Sequence, residues 1–326
     1  MGFFARLATA AVVLVAVAYP ATATAATSSG RWSAAASMTV ARSGLAGATG
    51  ANGIIYAMGG SAASGDSAAL ESYSTITKRW TTRASMPTAR EGLAAATGPD
   101  GRIYAIGGAI NYGSTVLSTV EAYTPATNTW STVAPLPTPR AWLAAAEGSD
   151  GLIYAMGGIT SNSYNTSAVV EAYNTKTNVW TELPSMPTAR SHLGATAGLS
   201  NGMVYALGGD SPTGTTDVVE AFNTKTKTWS EETPMPEDRS DMAVRSLHGL
   251  IYVVAGFCQS CFYGLDIPIK LVEIYSPITN AWTTGPSYLA PRADLAAAYG
   301  PDGRLYGIGG IDARDNPTTS VYEFTP

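Results

Sequence analysis

The sequence predicts an all-β protein in which six four-stranded blades form a closed β-propeller. Two periodic features predict this fold. A strand-like phrase that ends in glycine recurs at 55–60, 103–108, 153–158, 204–209, 251–256 and 305–310. One tryptophan per repeat keeps the same period of roughly 50 residues, at Trp32, Trp80, Trp130, Trp180, Trp229 and Trp282. Repeats of this length bury a continuous core by packing side by side, so residues 27–326 are expected to form a single domain.

The second repeat illustrates the elements in order. The small apolar run 93–96 suits an inner strand, where the blades crowd together, and Asp100-Gly101 is typical of a two-residue hairpin turn. The phrase 103–108 predicts the second strand. Residues 120–123 and the segment around Trp130 predict the third and fourth strands. Each repeat is therefore one antiparallel blade.

The two ends of the sequence each supply part of one blade. The segment around Trp32 is a fourth strand without a first three, and Val321–Phe324 is a third strand without a fourth. We therefore expect the N-terminal strand to complete the sixth blade and close the ring. Closure would protect the strand edges that an open array exposes.

The glycine-ending phrase and its period resemble the kelch family over nearly the whole chain. The resemblance implies a six-bladed propeller whose ligands bind at a mouth of the central channel. It also implies which loops supply the site, namely those that enter the first strand and those that join the second and third strands. It does not imply an activity, because function depends on sites carried by a fold.

The first 26 residues predict a secretory signal peptide. A basic residue at Arg6 precedes the apolar run 7–18, and the small-residue stretch 21–26 follows. The apolar run is shorter than the roughly 20 residues that span a bilayer. We therefore expect cleavage near Ala25 or Ala26, a secreted, extracellular protein and no membrane insertion.

Composition and motifs argue against several classes of function. The net charge is −5 and 13% of the residues are charged, which argues against nucleic acid, where basic residues supply the affinity. No catalytic triad order, metal-ligand spacing, P-loop or dinucleotide fingerprint is recognised, so no cofactor and no metal are expected. The copper enzyme galactose oxidase belongs to a similar fold family, but His192 and His248 are expected at opposite ends of inner strands, about 30 Å apart, and cannot share a metal.

Two further patterns are expected to be structural. Cys258 and Cys261 predict a short disulfide in the loop between the second and third strands of the fifth blade. Six arginines and six glutamates recur with the repeat, at Arg42, Arg90, Arg140, Arg190, Arg239 and Arg292, and at Glu71, Glu121, Glu171, Glu220, Glu273 and Glu323. A functional site rarely needs six equal copies, so these residues are expected to form Arg–Glu pairs or backbone-bonded charges that fasten the blades.

Residues that break the repeat are the candidates for a ligand-binding site. Those near the repeated arginines are Glu91, Trp142, His192, Asp241 and Asp294, and the loops between second and third strands add Tyr112, Tyr164, Asp210, Tyr263, Asp312 and Arg314. Carboxylates and flat aromatic rings around one concavity suit a hydroxyl-rich ligand. Each also has a structural interpretation, with Trp142 as a filler between blades, the aspartates as turn residues and Glu91 as a solvated rim charge.

Two functional hypotheses follow. The first is a non-catalytic secreted module that binds a carbohydrate or an extracellular protein through the channel mouth, and it is favoured because no catalytic signature is recognised. The alternative is a sugar-modifying enzyme of the sialic acid mutarotase or epimerase type, which is similar in fold and export. Proton transfer at a sugar carbon needs a positioned acid and base, for which Glu91, His192, Asp241 and Asp294 are the candidates. A structural or adhesion protein of the cell wall has no anchor sequence to support it.

Overall fold

Six four-stranded antiparallel sheets surround a central channel in the computed structural model, which describes residues 30–160, 165–197, 201–262 and 264–326. The predicted six-bladed propeller is confirmed. Blades 1 to 6 have their inner strands at 46–49, 94–97, 144–147, 194–196, 243–247 and 296–299. The predicted signal peptide, residues 1–26, lies outside the described residues.

The strands of the first three blades, with the strand that precedes them, are β1 (Arg31–Ala34), β2 (Ala46–Thr49), β3 (Ile55–Met58), β4 (Ser61–Ala62), β5 (Gly65–Asp66), β6 (Leu70–Ser74), β7 (Arg79–Thr82), β8 (Ala94–Thr97), β9 (Ile103–Ile106), β10 (Ala109–Ile110), β11 (Thr115–Val116), β12 (Val120–Thr124), β13 (Thr129–Thr132), β14 (Ala144–Glu147), β15 (Ile153–Met156), β16 (Val170–Asn174) and β17 (Val179–Leu183).

The remaining strands are β18 (Gly194–Thr196), β19 (Met203–Leu207), β20 (Asp210–Ser211), β21 (Gly214–Thr215), β22 (Val219–Asn223), β23 (Thr228–Glu231), β24 (Ala243–Leu247), β25 (Leu250–Val254), β26 (Val272–Ser276), β27 (Ala281–Thr284), β28 (Ala296–Tyr299), β29 (Leu305–Ile308) and β30 (Val321–Thr325). A single 3₁₀ turn, Ser260–Phe262, is the one helical element among the described residues, and no helix in that part of the chain is long and apolar enough to cross a membrane.

The first described strand closes the ring, as predicted. Strand β1 pairs antiparallel with β30, with Trp32 opposite Phe324, so the sixth blade has the order β1-β30-β29-β28. The Trp32 side chain is buried against the rings of Tyr288 and Phe324. Both ends of the chain are therefore needed to build one core.

The repeated tryptophans fasten each blade to the one before it. Trp80 of blade 1 donates its indole N–H to the carbonyl of Ala36, 2.7 Å away, in the loop that leaves blade 6. Trp130 and Trp180 make the same bond to Ala84 and Ala134. A buried or half-buried indole N–H needs an acceptor, which explains why tryptophan recurs with the repeat.

Five of the six repeated arginines form the expected pairs with glutamate. The pairs are Arg42–Glu71 (2.8 Å), Arg90–Glu121 (2.6 Å), Arg140–Glu171 (2.6 Å), Arg190–Glu220 (2.6 Å) and Arg239–Glu273. These arginine side chains are fully buried and also donate to backbone carbonyls, as Arg42 does to Gly59 and Ala69. They therefore hold strands together and, being fully buried, are not accessible to a ligand.

The expected Arg–Glu pair does not form in blade 6, because the glutamate of this blade lies one position further along its strand. Arg292 still donates to a backbone carbonyl, that of Pro291, at 2.8 Å. Tyr322 stands opposite Gly307 on the neighbouring strand, at the register that the glutamates occupy elsewhere. The Arg292 guanidinium lies 5.8 Å from the Tyr322 ring centre and donates to the Ser320 hydroxyl. Glu323 instead pairs with Arg304, at 3.0 Å. An aromatic ring thus replaces a carboxylate as the partner of this arginine.

Candidate functional site

Six equivalent residues surround the end of the channel at which the chain enters the inner strands, here called the upper mouth. They are Gly44, Gly92, Trp142, His192, Asp241 and Asp294, and together they line a cavity of about 90 Å³. Each residue precedes the first strand of its blade, so the propeller brings positions about 50 residues apart to one axis. Below them, leucines and Met242 form the floor of the cavity.

A closed ring of backbone hydrogen bonds joins these six residues. Each donates its N–H to the carbonyl of the equivalent residue in the preceding blade, over Gly92–Gly44 (3.0 Å), Trp142–Gly92 (2.7 Å), His192–Trp142 (2.9 Å), Asp241–His192 (3.0 Å), Asp294–Asp241 (2.9 Å) and Gly44–Asp294 (3.0 Å). All six have left-handed backbone conformations, with φ between 47° and 59°. The ring fixes the backbone around the mouth and therefore fixes where the side chains start.

Left-handed conformations favour glycine, yet four of the six positions carry side chains. A non-glycine residue pays about 1–2 kcal/mol for this backbone. Gly44 and Gly92 show that the ring is compatible with glycine. Residues held in unfavourable backbone conformations concentrate at functional sites, so the strain marks these four residues as candidates for a binding site. In the sequence, glycine at two equivalent positions, Gly44 and Gly92, is the one indication of the left-handed backbone of this ring.

The Trp142 indole lies between neighbouring blades at one side of the mouth. Its ring stacks on His192, with centroids 5.3 Å apart and an angle of 29° between the planes. The ring also packs closely on Gly92 and Gly113, where an added Cβ would lie 2.9 Å and 2.7 Å from indole carbons. The side chain remains partly exposed at the cavity. Glycines on blade 2 thus make room for the indole.

The carboxyl groups of Asp241 and Asp294 are neighbours at the upper mouth and affect each other's pKa. Burial, together with the charge of Asp210, raises the pKa of Asp241 to about 8. Burial and the neighbouring Asp241 raise the pKa of Asp294 well above its ordinary value. Two carboxyl groups in contact cannot both ionise easily, so the pair retains at least one proton at neutral pH.

His192 lies between this pair and a third acidic group. Its Nδ1 is 3.0 Å from the Ser191 hydroxyl and 3.5 Å from a carboxylate oxygen of Asp210. Burial lowers the pKa of His192, and the charges of Asp210 and Asp294 oppose that effect. The imidazole is therefore held close to proton donors and acceptors on both sides.

The other predicted site residues lie around or away from this cavity. Glu91 is half-buried at the rim, where burial and the charge of Asp66 raise its pKa. Tyr112 is 77% exposed on a turn and does not line the cavity. Asp312 accepts hydrogen bonds from the backbone of Arg314 (2.8 Å), so it stabilises a turn, and Arg314 is exposed there. Tyr164 and Tyr263 lie outside the described residues.

The disulfide joins Cys258 and Cys261, whose Cα atoms are 5.4 Å apart, in the loop of blade 5. The Asp238 carboxylate accepts hydrogen bonds from the backbone and hydroxyl groups of Ser260 within this loop. His248 lies at the opposite end of the channel, in the turn that joins the first two strands of blade 5. The two histidines thus belong to different cavities.

The comparison with known families decides which one these blades represent. The kelch motif matches residues 42–87, 92–137, 143–187, 192–236 and 238–287, which is more than half of the chain. The chain belongs to the kelch family. The matched ranges correspond to blades 1 to 5, and blade 6 is the one that is split between the two ends and lacks the Arg–Glu pair.

The solved structure of YjhT shares this kelch architecture. It superposes with a TM-score of 0.74 at 19% sequence identity, covering 89% of this chain and 96% of YjhT. At this identity the likeness concerns the fold alone. No curated protein matches the chain.

Proposed function

We propose that this protein is an exported kelch module that binds a carbohydrate at its upper mouth. The observation that carries the proposal is the ring of six left-handed residues, in which four side chains are kept where glycine is the least strained choice. Those four are an indole, an imidazole and two carboxyl groups, which converge on one cavity. A purely structural ring would need none of them.

The chemistry of the four side chains suits a sugar. The exposed part of the Trp142 indole can make apolar contact with a sugar ring, while the carboxyl groups and His192 exchange hydrogen bonds with hydroxyls. The cavity of about 90 Å³ is far smaller than the roughly 300 Å³ that encloses a drug-sized ligand. The mouth can therefore hold only the terminal unit of a ligand, seated against the ring, which favours the end of a glycan over a folded protein surface.

Export remains part of this proposal. It rests on the predicted signal peptide at residues 1–26 and is compatible with the disulfide in blade 5, because disulfides persist in oxidising compartments. Recovery of the mature chain, beginning near residue 27, from the culture medium or periplasm would support it. Retention of the full-length chain in the cytoplasm would contradict it.

The binding proposal is tested with the variant Trp142→Ala in the mature protein. Wild-type protein is applied to a glycan array, and the best glycan is then titrated calorimetrically into wild type and variant. We expect the variant to lose about 10- to 100-fold in affinity, because an aromatic anchor contributes on the order of 1–3 kcal/mol.

Ile278→Ala is the matched control, since it removes a 92% exposed apolar side chain far from the mouth and should leave affinity unchanged. A folded Trp142→Ala variant with wild-type affinity would contradict the proposal. So would an array without any bound glycan combined with specific capture of an extracellular protein.

A second candidate function is proton transfer at the anomeric carbon of a sugar, and the Asp241–Asp294 pair favours it. With one shared proton and a pKa of about 8 for Asp241, the pair offers a proton donor beside a proton acceptor at neutral pH. One group would protonate the ring oxygen while the other removes the anomeric hydroxyl proton, so the ring opens. Reclosure returns both protons, and no cofactor is consumed.

The variant Asp241→Asn separates the two candidates, because an amide keeps most of the hydrogen-bonding capacity and loses the acid–base function. An enzyme would lose turnover by about 100-fold or more, measured as exchange between anomers by NMR, while its affinity changes little. A wild-type protein that binds the sugar but exchanges anomers no faster than buffer is a binding module only.

A further inference from the structure

Arg245 departs from the repeat inside the channel, on the inner strand of blade 5. It stands opposite Tyr252 on the neighbouring strand. The equivalent residues of the other blades, each opposite the corresponding tyrosine, are Ala48, Ala96, Ala146, Thr196 and Ala298. A long cation thus replaces a small side chain at one of six otherwise similar positions.

The Arg245 guanidinium has only neutral protein partners. Its Nε donates to the carbonyl of Ala297 in blade 6, at 2.9 Å, and its Nη2 to the carbonyl of Gly47 in blade 1, at 2.6 Å. No carboxylate of the described residues forms an ion pair with it. Nη1 has no acceptor among those residues, although it is not sealed from the cavity.

Unlike five of the repeated arginines, Arg245 has no carboxylate partner among the described residues. The five fully buried repeated arginines each contact a glutamate, because a charge removed from water needs a compensating charge. Arg245 is partly buried within the channel, and burial lowers its pKa. The Arg245 guanidinium therefore lacks a compensating negative charge, and an anion can reach it from the cavity that it lines.

That space is a cavity of about 510 Å³ at the other end of the channel, here called the lower mouth. Hydroxyl and carboxyl side chains at one register of the inner strands surround it, at Thr49, Thr97, Glu147, Ser246 and Tyr299. The volume lies within the range of about 300–1,000 Å³ that small-molecule sites occupy. Apart from His248 in the turn at its edge, Arg245 is the sole basic residue among the described residues that line it.

We infer that the lower mouth binds a small hydroxylated monocarboxylate, with its carboxylate on the Arg245 guanidinium and its hydroxyls among the threonine, serine and tyrosine side chains. One guanidinium balances one negative charge and matches the planar geometry of a carboxylate. A phosphate dianion would leave a charge uncompensated beside Glu147. This inference does not depend on the function proposed for the upper mouth.

The test uses D-glucuronate as the probe and D-glucose as the uncharged control, each titrated into the mature protein at constant ionic strength. We expect wild type to bind glucuronate at least tenfold more tightly than glucose. Arg245→Gln should lose at least tenfold in glucuronate affinity, and Ile278→Ala, which changes an exposed side chain that lines neither cavity, should keep wild-type affinity for it. Failure of wild type to bind glucuronate at millimolar concentration would overturn the inference.

Two further outcomes also decide against it. A folded Arg245→Gln variant with wild-type affinity excludes the guanidinium as the contact. Loss of glucuronate binding in Trp142→Ala but not in Arg245→Gln would place the carboxylate at the upper mouth. Because Arg245→Gln also removes two hydrogen bonds, the wild-type protein supplies an independent measurement. Glucuronate should protect Arg245 from modification by phenylglyoxal, followed by peptide mass spectrometry, and absence of protection would refute the site.

Discussion

The carboxyl groups of Asp241 and Asp294 at the upper mouth hold protons at a pH at which aspartates in water are ionised. Burial and the charge of Asp210 raise the pKa of Asp241 to about 8, and burial and the neighbouring Asp241 raise the pKa of Asp294 well above its ordinary value. An aspartate in an unfolded chain has a pKa of about 3.9. The folded protein therefore binds protons that the unfolded chain releases, and the pair couples protonation to stability.

The sign of this coupling gives a test. A carboxyl group with a raised pKa in the folded state contributes stability that is fully present below about pH 4 and is lost as the pH rises through about 8. The double variant Asp241→Asn/Asp294→Asn cannot ionise there. We expect its melting temperature, relative to wild type, to increase steadily from pH 4 to pH 8. A difference that is constant over this range would show that the pair titrates normally.

Single residues also mark the limit of what the sequence predicts. The sequence predicts which side chains converge at the upper mouth, because they differ from blade to blade at a position two residues after the repeated arginine. They are Trp142, His192, Asp241 and Asp294. The sequence does not predict a role for Arg245, because this residue lies within an inner strand and not in a loop at a mouth of the channel. Its role depends on contacts with Gly47, 198 positions away, which a local pattern cannot reveal.

At the scale of elements, strand β1 is the decisive piece, because it supplies the outer edge of blade 6. It contributes a backbone ladder to β30 and buries Trp32 against two aromatic rings, and the Trp32 indole donates to Pro286. Removal of one buried tryptophan side chain alone typically destabilises a protein by about 3–5 kcal/mol. The strand is therefore a large part of the stability of its blade.

Deletion of residues 27–36 should accordingly lower the melting temperature of the mature protein by about 10 °C or more. A chain that begins at Gly30 retains β1 and serves as the control. Calorimetric scans of the two proteins measure the effect. An equal melting temperature would mean that β1 is not required for closure.

Elements also show why blade 6 lacks the sixth Arg–Glu pair. In the other repeats the glutamate lies two positions before the aromatic residue of the third strand, as Glu121 does before Tyr123. In blade 6, Glu323 lies only one position before Phe324. Side chains in a strand alternate between its two faces, so this single step moves the carboxylate to the opposite face. The register of β29 with β30 places Tyr322 on the face where Arg292 lies.

For the whole molecule, the repeat period determined nearly everything about architecture and little about contents of the channel. Six recurrences of the glycine-ending phrase and of tryptophan specify six blades, and the two incomplete ends specify how they close. The channel instead depends on how six inner strands meet at one axis. Its hydrogen-bonded ring joins residues about 50 positions apart through main-chain atoms, and only the glycines at two of its positions mark it in the sequence.

That ring also governs the passage of molecules. Six residues joined in a closed circle by hydrogen bonds of 2.7–3.0 Å leave a narrow opening, and widening it would require several of these bonds to break together. We therefore expect a sugar-sized solute that enters one end to leave by the same end. On this expectation the two cavities fill and empty independently of each other.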